Sequence, residues 1–299
     1  MMTTNETSNR PPSDHGDRSA TVRTDGAAWA GANGDIWARE WRRTDRSFAA
    51  LSMELDRTIR EAMDSAPVAV ADIGCGAGGT AIAAARANDR ADVTGFDISA
   101  ALVAVAQERA AGLPNCRFLA APVEAAIGQA GPFDLLLSRH GVMFFDDPVA
   151  AFAGMRAAAR PGARLVFSCF RGAALNGWAR ELMTALSGSA PPPAGYEPGP
   201  FAFADEAFVQ ALLNEAGWAD VRARAVNFAY RAGAGPDPVA DAVDFFSRIG
   251  PAARALKAAV PQDRAGLIAQ VEAVCRARLQ DDAVDFPAAA WIWSATNPL

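Results

Sequence analysis

The sequence predicts an α/β fold built on a mostly parallel seven-stranded sheet with helical cap insertions. Three observations point to it. Short apolar runs alternate with helix-forming stretches from Val68 to Phe170, the rhythm of βαβ units and so of parallel strands. A glycine cluster, Gly74-Cys-Gly76-Ala-Gly78-Gly79, directly follows the first run. An aspartate, Asp97, stands at the end of the second.

Residues 1–26 are rich in Thr, Ser, Asn, Asp and Pro and read as a disordered tail. Within residues 27–66, Ile36, Trp37, Trp41, Phe48, Leu51, Leu55 and Ile59 recur at helical spacing, which predicts one or two amphipathic cap helices before Pro67 breaks the chain. Val68–Ile73 is the first strand, and Thr80–Ala87 the helix behind the glycines. Asp92–Phe96 is the second strand; Ser99 is a helix N-cap, Leu102–Ala111 its helix and Gly112 the stop. Cys116–Ala120 and Phe133–Ser138 supply strands three and four. Asp147-Pro148 opens a helix that runs to Arg160, because Asp accepts free N–H groups and Pro suits a first turn. Pro161-Gly162 then turns the chain into the fifth strand, Arg164–Phe170.

Residues 171–200 interrupt this rhythm with a short helix, Leu175–Leu186, and the run Pro191-Pro192-Pro193. They read as an insertion beyond the C-terminal edge of the sheet, where such folds bind ligands. Asp205–Ala216 is a helix stopped by Gly217, and Val221–Tyr230 alternates as a sixth strand. A second insertion covers about 235–285 and is helical throughout residues 238–281, and Ala290–Thr296 closes the sheet. One domain is thus expected over residues 67–299.

Composition bounds the function. With 299 residues, 51% hydrophobic and 21% charged, the chain is globular. Its 28 Lys+Arg against 34 Asp+Glu leave a net charge of −6, which argues against a nucleic-acid partner. Lys257 is the single lysine, and alanine is abundant, the bias of a GC-rich bacterial genome. Cys75, Cys116, Cys169 and Cys275 stand too far apart to suggest a disulfide framework or a zinc site. No metal is expected. No secretory signal and no apolar run near the ~20 residues of a membrane span is found, so a soluble cytoplasmic protein is expected.

The chemistry lies in the glycine turn. A helix N-terminus there offers free N–H groups and a partial positive charge. A carboxylate at Asp97 can take both hydroxyls of a ribose. This is a nucleoside-cofactor site, and its glycines satisfy two templates. Gly74, Gly76 and Gly79 match the dinucleotide fingerprint, whereas Gly74, Gly76 and Gly78 match that of S-adenosylmethionine (SAM) enzymes. Asp72 discriminates. It would repel an anionic pyrophosphate but suits the ammonium and sulfonium of SAM.

Asp72–Gly78, Gly95-Phe-Asp-Ile-Ser99, Phe133–Phe145 and Arg160–Leu165 together resemble the successive motifs of the class I SAM-dependent methyltransferases, nearest to the branch of ubiquinone and menaquinone C-methyltransferases. The resemblance covers roughly residues 68–170 and implies a Rossmann-like fold. It also implies roles. Asp72 and Gly74 would face the methionyl end of SAM, Gly76 and Gly78 line the loop, Asp97 hold the ribose and Ile98 pack on the adenine. The place of the family's adenine-binding acid is held by Pro122, so the Val123 backbone or Glu124 would substitute. Ser138 and Arg139 fall where cofactor and acceptor meet.

His140, one of two histidines with His15, follows the fourth strand and is the candidate general base, with Arg139 beside it. Methyl transfer from a sulfonium rests largely on positioning and need not use a base. Cys75 reads as a small filler. Trp37, Phe144 and Trp178 are candidates for the acceptor pocket, since a lid over an apolar molecule needs large rings. Arg39, Arg42, Arg43 and Arg46 read as a solvated helix face. The sequence therefore predicts a SAM-dependent methyltransferase acting on a small apolar or aromatic acceptor. An NAD-dependent oxidoreductase and a non-catalytic SAM-binding protein are the alternatives.

Overall fold

The computed structural model describes residues 26–63, 68–187 and 196–299. The expected tail over residues 1–26, save Gly26, the expected break at Pro67 and the run Pro191-Pro192-Pro193 lie outside these residues.

Five parallel strands form the centre: β1 (Val68–Ile73), β2 (Ala91–Asp97), β3 (Cys116–Ala120), β4 (Phe133–Arg139) and β5 (Ala159–Phe170). Two long strands complete one side, β6 (Ala219–Ala234) and β8 (Ala283–Thr296), with β8 antiparallel to both β5 and β6. A two-residue strand, β7 (Leu279–Gln280), pairs back onto β8. The order is β3-β2-β1-β4-β5-β8-β6. The Rossmann-like α/β class expected from the sequence is correct, but the sheet has eight strands and is mixed. Sequential strands step outward from β1 in one direction and then cross to β4. That reversal opens a crevice at the C-terminal ends of β1 and β4, where ligands of open α/β sheets bind.

Local chemistry starts the helices. In α5 (Ala100–Arg109) the Ser99 hydroxyl accepts the Leu102 N–H at 3.3 Å. Asp147 caps α7 (Pro148–Ala157) through Ala150 N–H at 3.0 Å, and Asp205 caps α9 (Glu206–Glu215) through Phe208 N–H at 3.0 Å. The first of these two helices ends before Arg160, because β5 starts at Ala159 and claims that residue for the sheet. Helix α6 (Val123–Ala130) is an element the sequence reading did not predict. Its buried face is only Val123 and Ile127, too short a stripe to announce a period.

The last third departs most from expectation. The stretch read as wholly helical is α10 (Pro238–Arg248), α11 (Pro251–Ala258) and α12 (Arg264–Arg276), followed by the β7 turn. Strand β8 begins seven residues before Ala290, across Pro287. Proline is tolerated there because β5 pairs with β8 only from Ala290 onward and β7 only at Ala283 and Val284, leaving one side of the strand around Pro287 without a strand neighbour.

The N-terminal segment forms α1 (Gly26–Ala30), α2 (Ala32–Arg39) and α3 (Trp41–Ala62). Phe48, Leu51, Leu55 and Ile59 bury one stripe of α3, which packs along β6 and beside α4 (Gly79–Ala87). Helix α8 (Gly177–Ser187) packs on α11 and α12. Of the arginines expected on a solvated face, Arg39 and Arg42 are exposed, but Arg43 and Arg46 are not. Arg43 donates to Glu40 at 2.9 Å and to Asp241 and Asp244 of α10 at 2.8 Å each. Arg46 meets Asp241 at 2.7 Å. Two acids of α10 facing two arginines of α3, with Glu40 beside Arg43, make this part of the surface an internal joint.

Candidate cofactor and acceptor site

The C-terminal ends of β1, β2 and β4 open into one cavity of about 1650 Å³. Helices α1–α3 contribute Trp29, Trp37, Trp41 and Asp45 to its lining, and α8 contributes Trp178. Of the residues expected to hold a cofactor, Asp72, Gly74, Gly76, Asp97, Ile98 and Val123 all line it. So do Arg139, His140, Trp37, Phe144 and Trp178.

Two expected residues do not. Gly78, at φ 78°, opens α4 with its Cα against the Ala106 and Phe118 side chains, so it serves helix packing. Ser138 is fully buried beneath the turn. Its hydroxyl donates to Ile73 O at 2.7 Å and accepts Gly141 N–H at 3.1 Å. That brace holds two glycine turns in contact: a Cβ on Gly74 would lie 2.8 Å from Gly141 Cα. Ser138 shapes the crevice floor from below.

Asp97 Oδ2 accepts Gly76 N–H and its Oδ1 accepts Ser99 N–H, each at 2.8 Å. The two bonds hold the carboxylate in one orientation and leave lone pairs on both oxygens for a ligand. Burial pushes its pKa up, and the same two N–H groups oppose that shift. Asp72 is more extreme. It is 1% exposed, and neither oxygen completes a hydrogen bond. Burial drives its pKa up to about 8, against the pull of the Arg139 charge. Cys75, buried in the same turn, has a pKa raised by desolvation first and by Asp72 second, so it is an inert filler.

On the far side the cavity meets aromatic rings. Phe170 lies 4.3 Å from the His140 ring, 5.2 Å from Trp178 and 5.7 Å from Phe48. Tyr230 stacks on Trp178 at 5.4 Å. Trp29, at 5.5 Å from Trp37 and 5.1 Å from Phe144, closes the opposite edge. His140 Nδ1 sits 2.9 Å from the buried Ser168 hydroxyl. Burial, then Arg139, lowers its pKa to about 3, so His140 is neutral at physiological pH and a weak base. Arg139 is spent on structure: it donates to Asp45 at 2.6 Å and to Ser52 at 2.9 Å.

Asp45, Phe48, Phe170, Ser168 and Tyr230 escaped the sequence reading. Asp45 was legible only as one acid among arginines, and the aromatic residues only as core periodicity.

A family model described as a methyltransferase domain matches residues 70–162. Those residues are similar to a methyltransferase domain. The chain is also similar to one curated protein and, in fold, to solved structures. The malonyl-[acyl-carrier protein] O-methyltransferase of Halalkalibacterium halodurans is 28% identical over 119 residues, which are 39% of this chain and 44% of that relative. The chain thus matches less than half the length of that curated relative. The YcgJ protein of Bacillus subtilis shares the fold at a TM-score of 0.50 and 16% identity, over 82% of this chain and 98% of that one. Phosphoethanolamine N-methyltransferase 2 of Haemonchus contortus, solved with phosphomonomethylethanolamine and S-adenosylhomocysteine, gives 0.51 and 16% identity over 90% and 61%.

The residues of the site fit SAM, the cofactor that the sequence resemblance implies. Asp72 is a buried carboxylate lacking a partner, which an ammonium would complete. The Asp97 lone pairs suit a ribose diol. Val123 opens α6, where a first-turn N–H has no acceptor within the helix, and Pro122 beside it offers none of its own. Among the described residues no helix is long and apolar enough to cross a membrane.

Proposed function

We propose that the protein transfers the methyl group of SAM to a small apolar or aromatic acceptor in the cytoplasm. The observation that carries this reading is the continuity of one cavity from the Asp72–Asp97 crevice to the Phe48–Phe170–Trp178–Tyr230 wall. SAM supplies a methyl carbon bonded to a cationic sulfur, which an electron-rich atom displaces in line. In this reading Asp72 takes the ammonium, the Gly74 and Gly76 backbone bounds the methionyl chain, and Asp97 takes the ribose hydroxyls. Ile98 and Val123 flank the adenine. The aromatic wall orients the acceptor and excludes water, so positioning contributes most of the rate. His140 is a polar contact and not a strong base, given its depressed pKa. Arg139 acts through Asp45 as a positioning residue.

The family match and the buried Asp72 carboxylate both favour this over an NAD-dependent oxidoreductase. No observation favours a non-catalytic binding module. Calorimetric titration with SAM, S-adenosylhomocysteine and NAD tests the reading. Binding of the first two is expected; binding of NAD alone would overturn it.

A further inference from the structure

Buried polar atoms without partners are rare in folded proteins, and each asks for an explanation. Among the described residues they occur on Trp29, Thr44, Asp72, Thr94, His140, Trp178 and Trp293, and all but Thr94 and Trp293 line the one large cavity. Asp72 belongs to the cofactor half. His140 and Trp178 belong to the acceptor half, where both rings contact Phe170. Two other buried or half-buried indoles are satisfied. Trp291 Nε1 donates to Ala204 O at 3.1 Å, and Trp218 Nε1 to Phe152 O at 3.0 Å. Trp29 Nε1, at the opposite edge, and Trp293 Nε1, outside the cavity, are unpartnered too; on the acceptor wall the orphans are His140 Nε2 and Trp178 Nε1.

We propose that His140 Nε2 and Trp178 Nε1 together hold one uncharged oxygen of the acceptor, a hydroxyl or a carbonyl, against Phe170. The inference rests on the methyltransferase reading and adds the acceptor's polar group to it. Indole Nε1 is a donor only, so its partner must accept. An ammonium cannot. Imidazole Nε2 donates or accepts according to how the Ser168 hydroxyl pairs with Nδ1 at 2.9 Å. A single oxygen meets both demands. A carboxylate would need an unpaired cation beside the two nitrogens, and two of the three arginines that line the cavity are already in ion pairs. Arg139 is paired with Asp45, Arg180 with Glu181 at 2.8 Å, and Arg254 is exposed. Selection then works by penalty, since an oxygen-free molecule of the same shape leaves both nitrogens buried and unpaired.

The test uses the full-length protein saturated with S-adenosylhomocysteine. Binding of 2-naphthol, 2-methylnaphthalene and 2-naphthoate is followed through the fluorescence of the ligands. We expect 2-naphthol to bind about tenfold more tightly than 2-methylnaphthalene, and 2-naphthoate to bind no better than the hydrocarbon. Trp178→Phe keeps the ring stack and should erase most of that ratio, leaving hydrocarbon binding and S-adenosylhomocysteine affinity unchanged. Equal binding of naphthol and hydrocarbon overturns the inference. So does an equal loss of both ligands in Trp178→Phe, the behaviour of a plain apolar wall, or a preference for naphthoate. If the wild-type protein does not bind S-adenosylhomocysteine, the methyltransferase reading fails and this inference falls with it. If it does bind but the ratio is absent, only the inference fails.

Discussion

Asp45 on α3 and Arg139 at the end of β4 meet at 2.6 Å, joining the N-terminal cap to the edge of the cofactor crevice. The other Asp45 oxygen accepts from Arg109 at 2.7 Å, and Arg109 lies 3.9 Å from the centre of the Trp41 ring and donates to Ala77 O. One carboxylate thus ties the cap to β4, to α5 and, through Arg109, to the glycine turn. Asp45→Ala should cost about 1–2 kcal/mol of stability, between the values for exposed and buried pairs. It should also speed release of SAM. Stopped-flow fluorescence of the cap tryptophans would show this; an unchanged release rate removes the latch.

Asp72 should cost the ligand-free protein stability at neutral pH. Its folded pKa of about 8 lies above the ordinary 3.8. Between those values the folded state holds a proton that the unfolded state has lost, so this contribution falls as pH rises through that window. Asp72→Asn should therefore raise the melting temperature of the free protein at pH near 8, by on the order of 2 kcal/mol in stability. The same substitution should remove the stabilisation that added SAM confers. Calorimetry should record proton release as SAM binds the wild type below the Asp72 pKa. A melting temperature lowered by the substitution contradicts this account.

Asp97→Ala removes a carboxylate that accepts two backbone N–H groups and faces the cavity. SAM binding should weaken by about 1.5–3 kcal/mol, the range for hydrogen bonds to a charged group. Unchanged affinity in a titration would take Asp97 out of the site.

Gly34 of α2 is pressed onto the start of α5. A Cβ there would fall 2.2 Å from Ser99 Oγ and 2.4 Å from Trp29 O. Gly34→Ala must displace the cap or the Ser99 helix cap, at about 1–3 kcal/mol. Urea denaturation would measure the loss, and wild-type stability would show that the cap sits further out.

His140 predicts acid sensitivity. Its folded pKa of about 3 lies below the ordinary 6.5, so protons bind the unfolded state first, and stability is lost as pH falls through that window. His140→Asn should flatten the acid limb of a stability-against-pH curve, since Asn also tolerates the φ of 59° at this position. A limb as steep as wild type would assign the sensitivity elsewhere.

Much of the cofactor half was legible because its signals are local. The Val68–Ile73 and Cys116–Ala120 boundaries agree with the sequence reading residue for residue, and Ser99, Asp147 and Asp205 cap helices as their chemistry implies. The glycine turn and Asp97 announced themselves by spacing. The missed features depend on distant partners. Asp45 and Arg139 are 94 positions apart, and β8 extends across Pro287 only because β6 pairs with it there. Gly78 and Ser138 fit the motif by position, yet packing turns one toward Phe118 and the other under Ile73.

The sequence by itself determined the α/β class, the order of the parallel strands' elements and the cofactor turn, because strand propensity, caps and glycine spacing act over a few residues. Tertiary structure alone decided the antiparallel side of the sheet, the cap latch and the aromatic wall with its two unpartnered nitrogens. Those depend on which distant surfaces bury each other, and residue periodicity shows that a face is buried without showing what lies against it.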